Sequence, residues 1–430
     1  METLDIILSI AASSIAILSS ILLALKWRKI RNKLPKFYFW RGNRLFKKSK
    51  YEKALSWYDR ALRKSNDRLD AMEKIGQTHF AAEKYKQAEK DFTEAIALLE
   101  NKTKCVAITL KLISEYEKRH KAEPDNLLYM KELRDNYHIL EGHEQEKKNY
   151  LRLAQNYSCR ARCWIALKVD ANAKEDIEAA LAINSCCANA YFAQACLFSL
   201  QNDYQGVIEF CIKTIEYDSE FAGAYGLRGL VYIKLEDYNW ALKDLIKVTE
   251  LDPKNAAAYA NLGAIYGELE MHELAIENCT TALKLNPKCS MTYTNRGLSY
   301  QKIGEFDEAI LDYRMAIRLN PKDASTYSNR AILYLLLQNY TMAIVDCTKA
   351  IELGSENAET YHNRGYAHDI NGRYDKAIQD FTKAVELDPA YVSAYYNRAI
   401  VYDKLGKPSL AVADRAKADE LKAAQETATV

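Results

Sequence analysis

The sequence predicts an all-α solenoid of stacked helix hairpins, and three features that recur with one and the same period predict it. Small residues recur at three places in the period, for example at Gly297, Ala309 and Ala316. Proline or serine recurs near the end of the period, as at Pro321, where it ends a helix. A tyrosine recurs without insertion or deletion at Tyr157, Tyr191, Tyr225, Tyr259, Tyr293, Tyr327, Tyr361 and Tyr395.

The residue types within one period predict two antiparallel helices. We number each unit from 1 to 34 so that the recurring tyrosine is at position 4. Small residues at positions 8, 20 and 27 let the two helices approach closely, and bulky residues at 4, 11 and 24 fill the space around them. One hairpin cannot bury its apolar face alone, so we expect neighbours to stack into a right-handed superhelix with a concave groove. This pattern resembles the tetratricopeptide repeat, and the resemblance covers residues 35–102 and 154–425.

The repeats divide the chain into seven predicted segments. Residues 103–153 are one and a half periods long, and we expect helices near 104–121 and 126–140. This part is either a decayed repeat or an irregular helical spacer that changes the direction of the superhelix. The segments are an N-terminal tail (1–5), a transmembrane helix (6–25), a basic juxtamembrane segment (26–34), two repeats (35–102), the irregular part (103–153), eight repeats (154–425) and a C-terminal tail (426–430).

Residues 6–25 predict a membrane anchor. They are twenty uncharged, mostly aliphatic residues, which is enough to cross a hydrocarbon core of about 30 Å. A signal peptide would begin with basic residues, whereas Glu2 and Asp5 precede this run. Acidic residues precede the run and basic residues follow it. This charge distribution predicts a single-pass membrane protein whose repeats face the cytosol.

Basic residues are concentrated directly after the predicted anchor. Residues 26–50 contain eleven Lys or Arg and no acidic residue, whereas residues 51–430 contain 49 basic and 56 acidic residues. The basic run is either an orientation signal alone or also a contact with anionic lipid. A net charge of +2 predicts no general affinity for nucleic acid. The candidate membrane-surface residues are Lys26, Trp27, Arg28, Lys29, Arg31, Lys33 and Lys36.

Arginine at position 7 and aspartate at position 23 occur together in six of the last eight units and are both absent from the other two. This joint occurrence predicts an ion pair that links the two helices of one hairpin, so we assign these arginines a structural role. The predicted pairs are Arg160 with Asp176, Arg228 with Asp244, Arg296 with Asp312, Arg330 with Asp346, Arg364 with Asp380, and Arg398 with Asp414.

Asparagine occupies position 6 of five successive units, at Asn261, Asn295, Asn329, Asn363 and Asn397. A column of side-chain amides can bind the backbone of an extended peptide whatever its sequence. The column resembles the asparagine ladders of O-linked N-acetylglucosamine transferases and of armadillo-type import adaptors. The alternative is that these asparagines only pack. The other inferred groove positions, 2, 5 and 9, are mostly small or neutral, and the groove turns acidic near Glu359, Asp369 and Asp403.

No catalytic motif or cofactor site is predicted. The sequence has no phosphate-binding glycine loop, no zinc-protease motif and no serine-hydrolase motif. Cys159, Cys163, Cys186, Cys187 and Cys196 lie close together in sequence, but they lack the spacing of a zinc knuckle, so metal or redox chemistry is the weakest alternative.

The predicted function is that of a membrane-anchored scaffold or receptor that binds extended segments of other proteins. A regulatory subunit that recruits a separate enzyme to the membrane is the alternative. The layout resembles that of mitochondrial outer-membrane import receptors and of bacterial inner-membrane assembly factors with the same repeats. The residues that grip chaperone tails in such receptors are mostly missing here, since Phe39 and Lys74 occupy two of the places concerned.

Overall fold

The computed structural model describes residues 36–64, 68–122 and 144–428, and within these ranges every regular element is a helix. The chain divides into two compact units, Met1–Val231 (unit 1) and Tyr232–Val430 (unit 2). Among the residues described, no helix combines the length and the apolar composition needed to cross a membrane. The predicted anchor at residues 6–25 lies outside the described residues.

Unit 2 is a row of helix hairpins that follows the predicted register. First helices occupy positions 1–13, and second helices begin at position 17 and end at position 29 or 30, except for a longer last one. The helix Tyr238–Leu251 is followed by the pairs Ala256–Glu268 with His272–Leu285, Ser290–Lys302 with Phe306–Leu319, Ala324–Leu336 with Tyr340–Glu352, Ala358–Ile370 with Tyr374–Leu387, and Val392–Lys404 with Pro408–Ala428. The predicted all-α solenoid is therefore confirmed.

The turn inside every hairpin places position 15 in the left-handed region. In each of these turns, the φ angle of position 15 lies between 52° and 86°. Only glycine adopts this backbone conformation without strain. These residues are Ser49, Glu83, Lys168, Asn202, Glu236, Glu270, Gly304, Gln338, Gly372 and Gly406. Since Ser49 and Glu83 belong to the series, the first two hairpins share the turn geometry of the later repeats.

The small residues at position 8 lie against large side chains at position 24. A Cβ atom added to Gly365 would lie 2.9 Å from the ring of Phe381, and one added to Gly297 would lie 3.0 Å from the ring of Tyr313. Both rings are completely buried. In each hairpin core, the size of the residue at position 8 therefore has to match the size of the residue at position 24.

Unit 1 contains helices at 36–46, Tyr51–Lys64, Leu69–Ala81, Tyr85–Ala122, Glu144–Ala166, Asp170–Ile183, Ala188–Leu200 and Tyr204–Tyr217, and the helix Ala222–Lys234 spans the boundary between the units. The helix Tyr85–Ala122 is continuous across the predicted boundary at residue 102. No proline or glycine occurs between residues 98 and 122 to end it. The last helix likewise extends past residue 425, where a tail was predicted.

The repeat at 69–102 stacks directly on the repeat that begins at 154. In unit 2, three of the four arginines at position 7 donate to a threonine at position 25 of the preceding repeat, as Arg296 Nη1 does to Thr280 Oγ1 at 2.9 Å. Arg160 Nη1 makes the same bond to Thr93 Oγ1 at 3.3 Å, and Thr93 is position 25 of the unit that begins at 69. These two repeats are therefore in direct contact although residues 103–153 separate them in the sequence.

Candidate functional site

The first helices of unit 2 form a continuous surface. Each of them contacts the first helix of the next hairpin, whereas the second helices are farther apart. A row of hairpins whose first helices lie closer together curves toward that side. We call the surface formed by the first helices of residues 256–404 the inner surface.

Position 6 places the predicted asparagines on the inner surface, where all five side chains are half-buried. In the described part of the chain, the amides of Asn261, Asn295 and Asn329 make no hydrogen bond. A side-chain amide has two donor hydrogens and one acceptor oxygen. These three asparagines therefore offer unused hydrogen-bonding groups along one face.

The C-terminal end of the column is different because His362 occupies it. The side-chain nitrogen of Asn397 lies 2.8 Å from Nε2 of His362, and the hydroxyl of Tyr391 lies 3.3 Å from Nδ1. With the imidazole proton on Nδ1, His362 accepts from Asn397 and donates to Tyr391. The pKa of His362 is lowered by burial, with a smaller opposing contribution from a hydrogen bond to Asn363. The amide of Asn397 is therefore already engaged within the protein.

Apolar side chains at position 9 run alongside the asparagines. Leu298 and Ile332 are half-buried, and Tyr366 and Ile400 are exposed, Ile400 to 43% of its surface. Positions 6 and 9 are separated by a single helical turn, so the amides and the apolar groups share one face. The inner surface therefore combines hydrogen-bonding and apolar contacts.

Position 5, predicted to line the groove, contributes to contacts between repeats instead. The hydroxyl of Thr294 lies 2.8 Å from that of Thr326 in the next unit, and the hydroxyl of Ser328 lies 3.0 Å from that of Thr360. Both pairs join position 5 to position 3 of the following hairpin. The hydroxyls of Thr294 and Ser328 are consequently engaged between repeats.

A pocket of about 290 Å³ lies beside Asn295, between two neighbouring first helices. Gly267 leaves room for it, and Gly263, Leu298 and Lys302 form part of its wall. A Cβ atom at Gly267 would meet only Ser299 Oγ, at 3.8 Å. The repeat pattern does not predict this pocket, although glycine at position 12, unique to this unit, is a detectable signal.

The arginines at position 7 lie between the helices and do not face the inner surface as free charges. In five repeats, Nε and Nη2 each donate to one carboxylate oxygen of the aspartate at position 23, at 2.6–2.9 Å. The pairs are Arg160 with Asp176, Arg296 with Asp312, Arg330 with Asp346, Arg364 with Asp380, and Arg398 with Asp414. The remaining predicted pair, Arg228 and Asp244, has its two members in different units.

Each of these arginines also lies over the recurring tyrosine. The guanidinium carbon of Arg330 is 5.8 Å from the ring centre of Tyr327, and the same contact occurs in the other repeats that have the arginine. A cation over an aromatic ring is stabilised by the ring quadrupole. The position-4 tyrosine therefore helps to hold the position-7 arginine in the repeats that contain both.

The predicted acidic end of the groove is largely neutralised. Lys404 Nζ contacts both carboxylate oxygens of Asp369, at 2.7 and 2.8 Å, and Arg415 pairs with Asp403. These pairs reduce the attraction for a basic ligand that the sequence suggested. Of the residues named there, Glu359 remains an exposed carboxylate.

Three thiols of the cysteine cluster have a pKa that burial raises. Burial raises the pKa of Cys159 and of Cys196 to about 11 and that of Cys163 to about 12. A thiol in this state is a poor nucleophile and a poor metal ligand. Within the described residues, no three His, Cys, Asp or Glu side chains come together as a metal site.

Of the seven candidate membrane-surface residues, Lys36 alone lies within the described residues, and it is exposed. Lys26, Trp27, Arg28, Lys29, Arg31 and Lys33 lie outside them.

Acidification is expected to destabilise unit 2 through His362 and His368. Burial lowers the pKa of both histidines. To a smaller extent, Asp380 raises the pKa of His368 and Arg364 lowers it. An unfolded histidine takes up a proton near pH 6.5, so the folded state binds fewer protons below that pH. The free energy of unfolding should therefore fall as the pH drops below about 6.5, until the pH reaches the pKa of the folded state. Each histidine should contribute about 1.4 kcal/mol for every unit by which its folded pKa lies below its unfolded pKa.

Urea midpoints at pH 7.5 and 5.5 measure this effect. His368→Tyr supplies the matched variant, because position 11 holds tyrosine in neighbouring units, as at Tyr334. The variant should lose less stability on acidification than the natural chain. Equal losses in both would show that His368 does not contribute.

Comparison with known proteins agrees with the helix register. Tetratricopeptide repeat models match residues 256–289, 290–323 and 347–379, and a model described as a TPR repeat matches 229–270 and 370–406. No curated protein matches the chain.

Three solved structures illustrate what the chain is similar to. A crystal structure of MamA is 25% identical, with 39% of this chain and 97% of that chain covered and a TM-score of 0.37. Pseudomonas aeruginosa pilF is 20% identical, with 48% of this chain and 94% of that chain covered and a TM-score of 0.44. The Cut9–Hcn1 hetero-tetramer of the APC/C is 14% identical, with 90% and 94% covered and a TM-score of 0.42. At these TM-scores, none of them informs the choice of partner.

The matched residues 229–323 and 347–406 are those whose hairpins follow the repeat register, with its left-handed position 15. Over these residues, the chain consists of tetratricopeptide repeats.

Proposed function

We propose that the chain is a membrane-anchored scaffold that binds extended segments of partner proteins on the inner surface of unit 2. The observation that carries this proposal is the set of three unengaged amides, Asn261, Asn295 and Asn329, on the same face as a column of half-buried and exposed apolar side chains. Tetratricopeptide repeats bind other proteins or peptides, and this face supplies the groups that an extended backbone needs.

The chemistry of the inner surface favours an extended ligand of mixed sequence. Peptide N–H and C=O groups bond to the amides independently of the side chains that the ligand carries. Apolar ligand side chains can pack on Leu298, Ile332 and Tyr366. The pocket beside Asn295 accepts one side chain and is the place where some selectivity can arise.

The anchor is the second part of the proposal and rests on residues 6–25. Their length and lack of charge meet the requirement for a spanning helix, and the basic residues that follow favour a cytosolic position for the repeats. Alkaline extraction of membranes that contain the full chain tests this part. Release of the chain into the supernatant would contradict it.

Loss of the three amides should weaken partner binding. A photo-cross-linking amino acid at Ile332 identifies the bound segment, and a peptide of that segment then serves for titration with the full chain. Asn261→Ala, Asn295→Ala and Asn329→Ala together should weaken binding about 100-fold, because each net hydrogen bond contributes about 1 kcal/mol. Asn397→Ala is the matched control, since its amide is bound to His362, and it should change binding little. Equal affinity of the triple variant and the natural chain would contradict the proposal.

The pocket offers a second, independent disruption. Gly267→Trp should fill it without unfolding the helix, because a side chain at this position starts in open space. Gly267→Ala leaves the pocket open and provides the control. If a separate enzyme stays bound to the triple variant and to Gly267→Trp as well as to the natural chain, the recruiting-subunit alternative gains support.

A further inference from the structure

The first hairpin, formed by the helices at 36–46 and Tyr51–Lys64, exposes aromatic rings beside arginines. Phe37 and Trp40 keep 45% and 54% of their surface exposed. Their rings stack at 6.2 Å, and the Phe37 ring meets that of Trp57 edge-on at 6.0 Å. We call the set of Phe37, Trp40, Trp57, Arg41, Arg44 and Arg60 the aromatic–arginine face.

The three arginines of this face lie against the rings and are exposed. The guanidinium carbon of Arg41 is 5.7–5.9 Å from the ring centres of Phe37, Trp40 and Trp57. Arg44 lies 5.7 Å from the ring of Trp40 and Arg60 lies 4.8 Å from that of Trp57. Within the described residues none of the three pairs with a carboxylate.

The repeat register explains why Arg41 has no carboxylate partner in its own hairpin. Arg41 is at position 7 of the unit that begins at 35, where other units pair the arginine with an aspartate at position 23. Here position 23 is Trp57, and position 6, asparagine in the later repeats, is Trp40. The arginine that elsewhere closes a hairpin is thus available to an external anion.

We propose that the aromatic–arginine face docks on the anionic surface of a bilayer. This inference rests on the proposed anchor: Lys36 is the eleventh residue after position 25, so the face is within about 40 Å of the end of residues 6–25. Tryptophan and arginine favour the headgroup level, where the rings are half-solvated and the charges meet lipid phosphates. The eleven basic and no acidic residues of the stretch 26–50 add charge complementarity.

Single-stranded nucleic acid is the other anionic partner that aromatic rings and arginines attract. The face fits it less well, because the rings contact one another and carry a guanidinium, which leaves no open platform between them for successive bases. The chain as a whole also carries a net charge of only +2.

The test reconstitutes the full chain into vesicles of brominated phosphatidylcholine, with and without phosphatidylserine, and measures quenching of tryptophan emission. In anionic vesicles, Trp40→Phe should remove part of the quenched emission. Trp240→Phe is the matched control, since Trp240 is 51% exposed and has Lys243 4.1 Å from its ring, but belongs to unit 2. The control should remove unquenched emission only. Arg41→Gln, Arg44→Gln and Arg60→Gln together should lower Trp40 quenching to its level in neutral vesicles.

Unquenched Trp40 in anionic vesicles, in a chain that resists alkaline extraction, would overturn the inference and leave the anchor standing. Alternatively, alkali could extract the chain while Trp40 is still quenched in anionic vesicles at neutral pH. That result would overturn the anchor, and the docking of the aromatic–arginine face would stand. Protection of Trp40 from acrylamide by oligouridylate, and not by anionic vesicles, would also overturn the inference, in favour of nucleic acid.

Discussion

Replacing Asp346 by alanine will lower the free energy of unfolding by about 3–5 kcal/mol, because it leaves the half-buried guanidinium of Arg330 without its counter-charge. The carboxylate accepts from Arg330 Nε at 2.7 Å and from Nη2 at 2.8 Å. Burial alone would lower the pKa of Arg330, but the hydrogen bond and charge of Asp346 outweigh it and raise that pKa. Urea unfolding, with hydrogen exchange in Ala324–Leu336 and Tyr340–Glu352, measures the loss.

The chain itself provides two controls for this prediction. Lys349 and Glu352 form an exposed ion pair in the same hairpin, so Glu352→Ala should change stability by less than about 0.5 kcal/mol. The unit that begins at 256 has Leu262 and Asn278 at the two positions. Arg330→Leu with Asp346→Asn should therefore retain most of the stability that Asp346→Ala loses.

Exchanging the two charges should restore part of the loss. Arg330→Asp with Asp346→Arg keeps the opposite charges but moves the guanidinium away from the rings of Tyr327 and Tyr334, which Arg330 approaches to 5.8 and 5.7 Å. If the double variant is no more stable than either single one, the ion pair does not contribute as we describe.

Phe381→Ala should cost about 3–5 kcal/mol, since the ring is completely buried and its removal leaves a cavity. The ring packs with Ala377 and Val401 and closes against the backbone of Gly365. Urea unfolding of the full chain measures the change. Val345→Ala, at a side chain that is 53% exposed, is the control and should alter stability by no more than about 0.5 kcal/mol.

The size match between positions 8 and 24 gives a stricter form of this test. The unit that begins at 324 has Ala331 where Gly365 stands and Cys347 where Phe381 stands. Phe381→Cys should be destabilising, and adding Gly365→Ala should recover part of the loss by filling the cavity. A double variant less stable than Phe381→Cys would contradict the size match.

Local periodicity was sufficient to predict the hairpins. Helix bounds follow from the spacing of small and bulky residues, and the arginine–aspartate pairing could be inferred because both members of each pair lie in one hairpin. The helix Tyr85–Ala122 runs past residue 102, because a helix without a breaking residue continues whether or not the repeat pattern does.

The sequence by itself determined the repeat unit, the asparagine column and the candidate anchor, because these depend on contacts within a period or on composition. Only the tertiary structure decided that the repeat at 69–102 packs on the one at 154, that Asn397 is bound to His362, and that Lys404 neutralises Asp369. Each of these contacts joins one repeat to another, and a linear pattern does not specify which side chains meet across neighbouring hairpins.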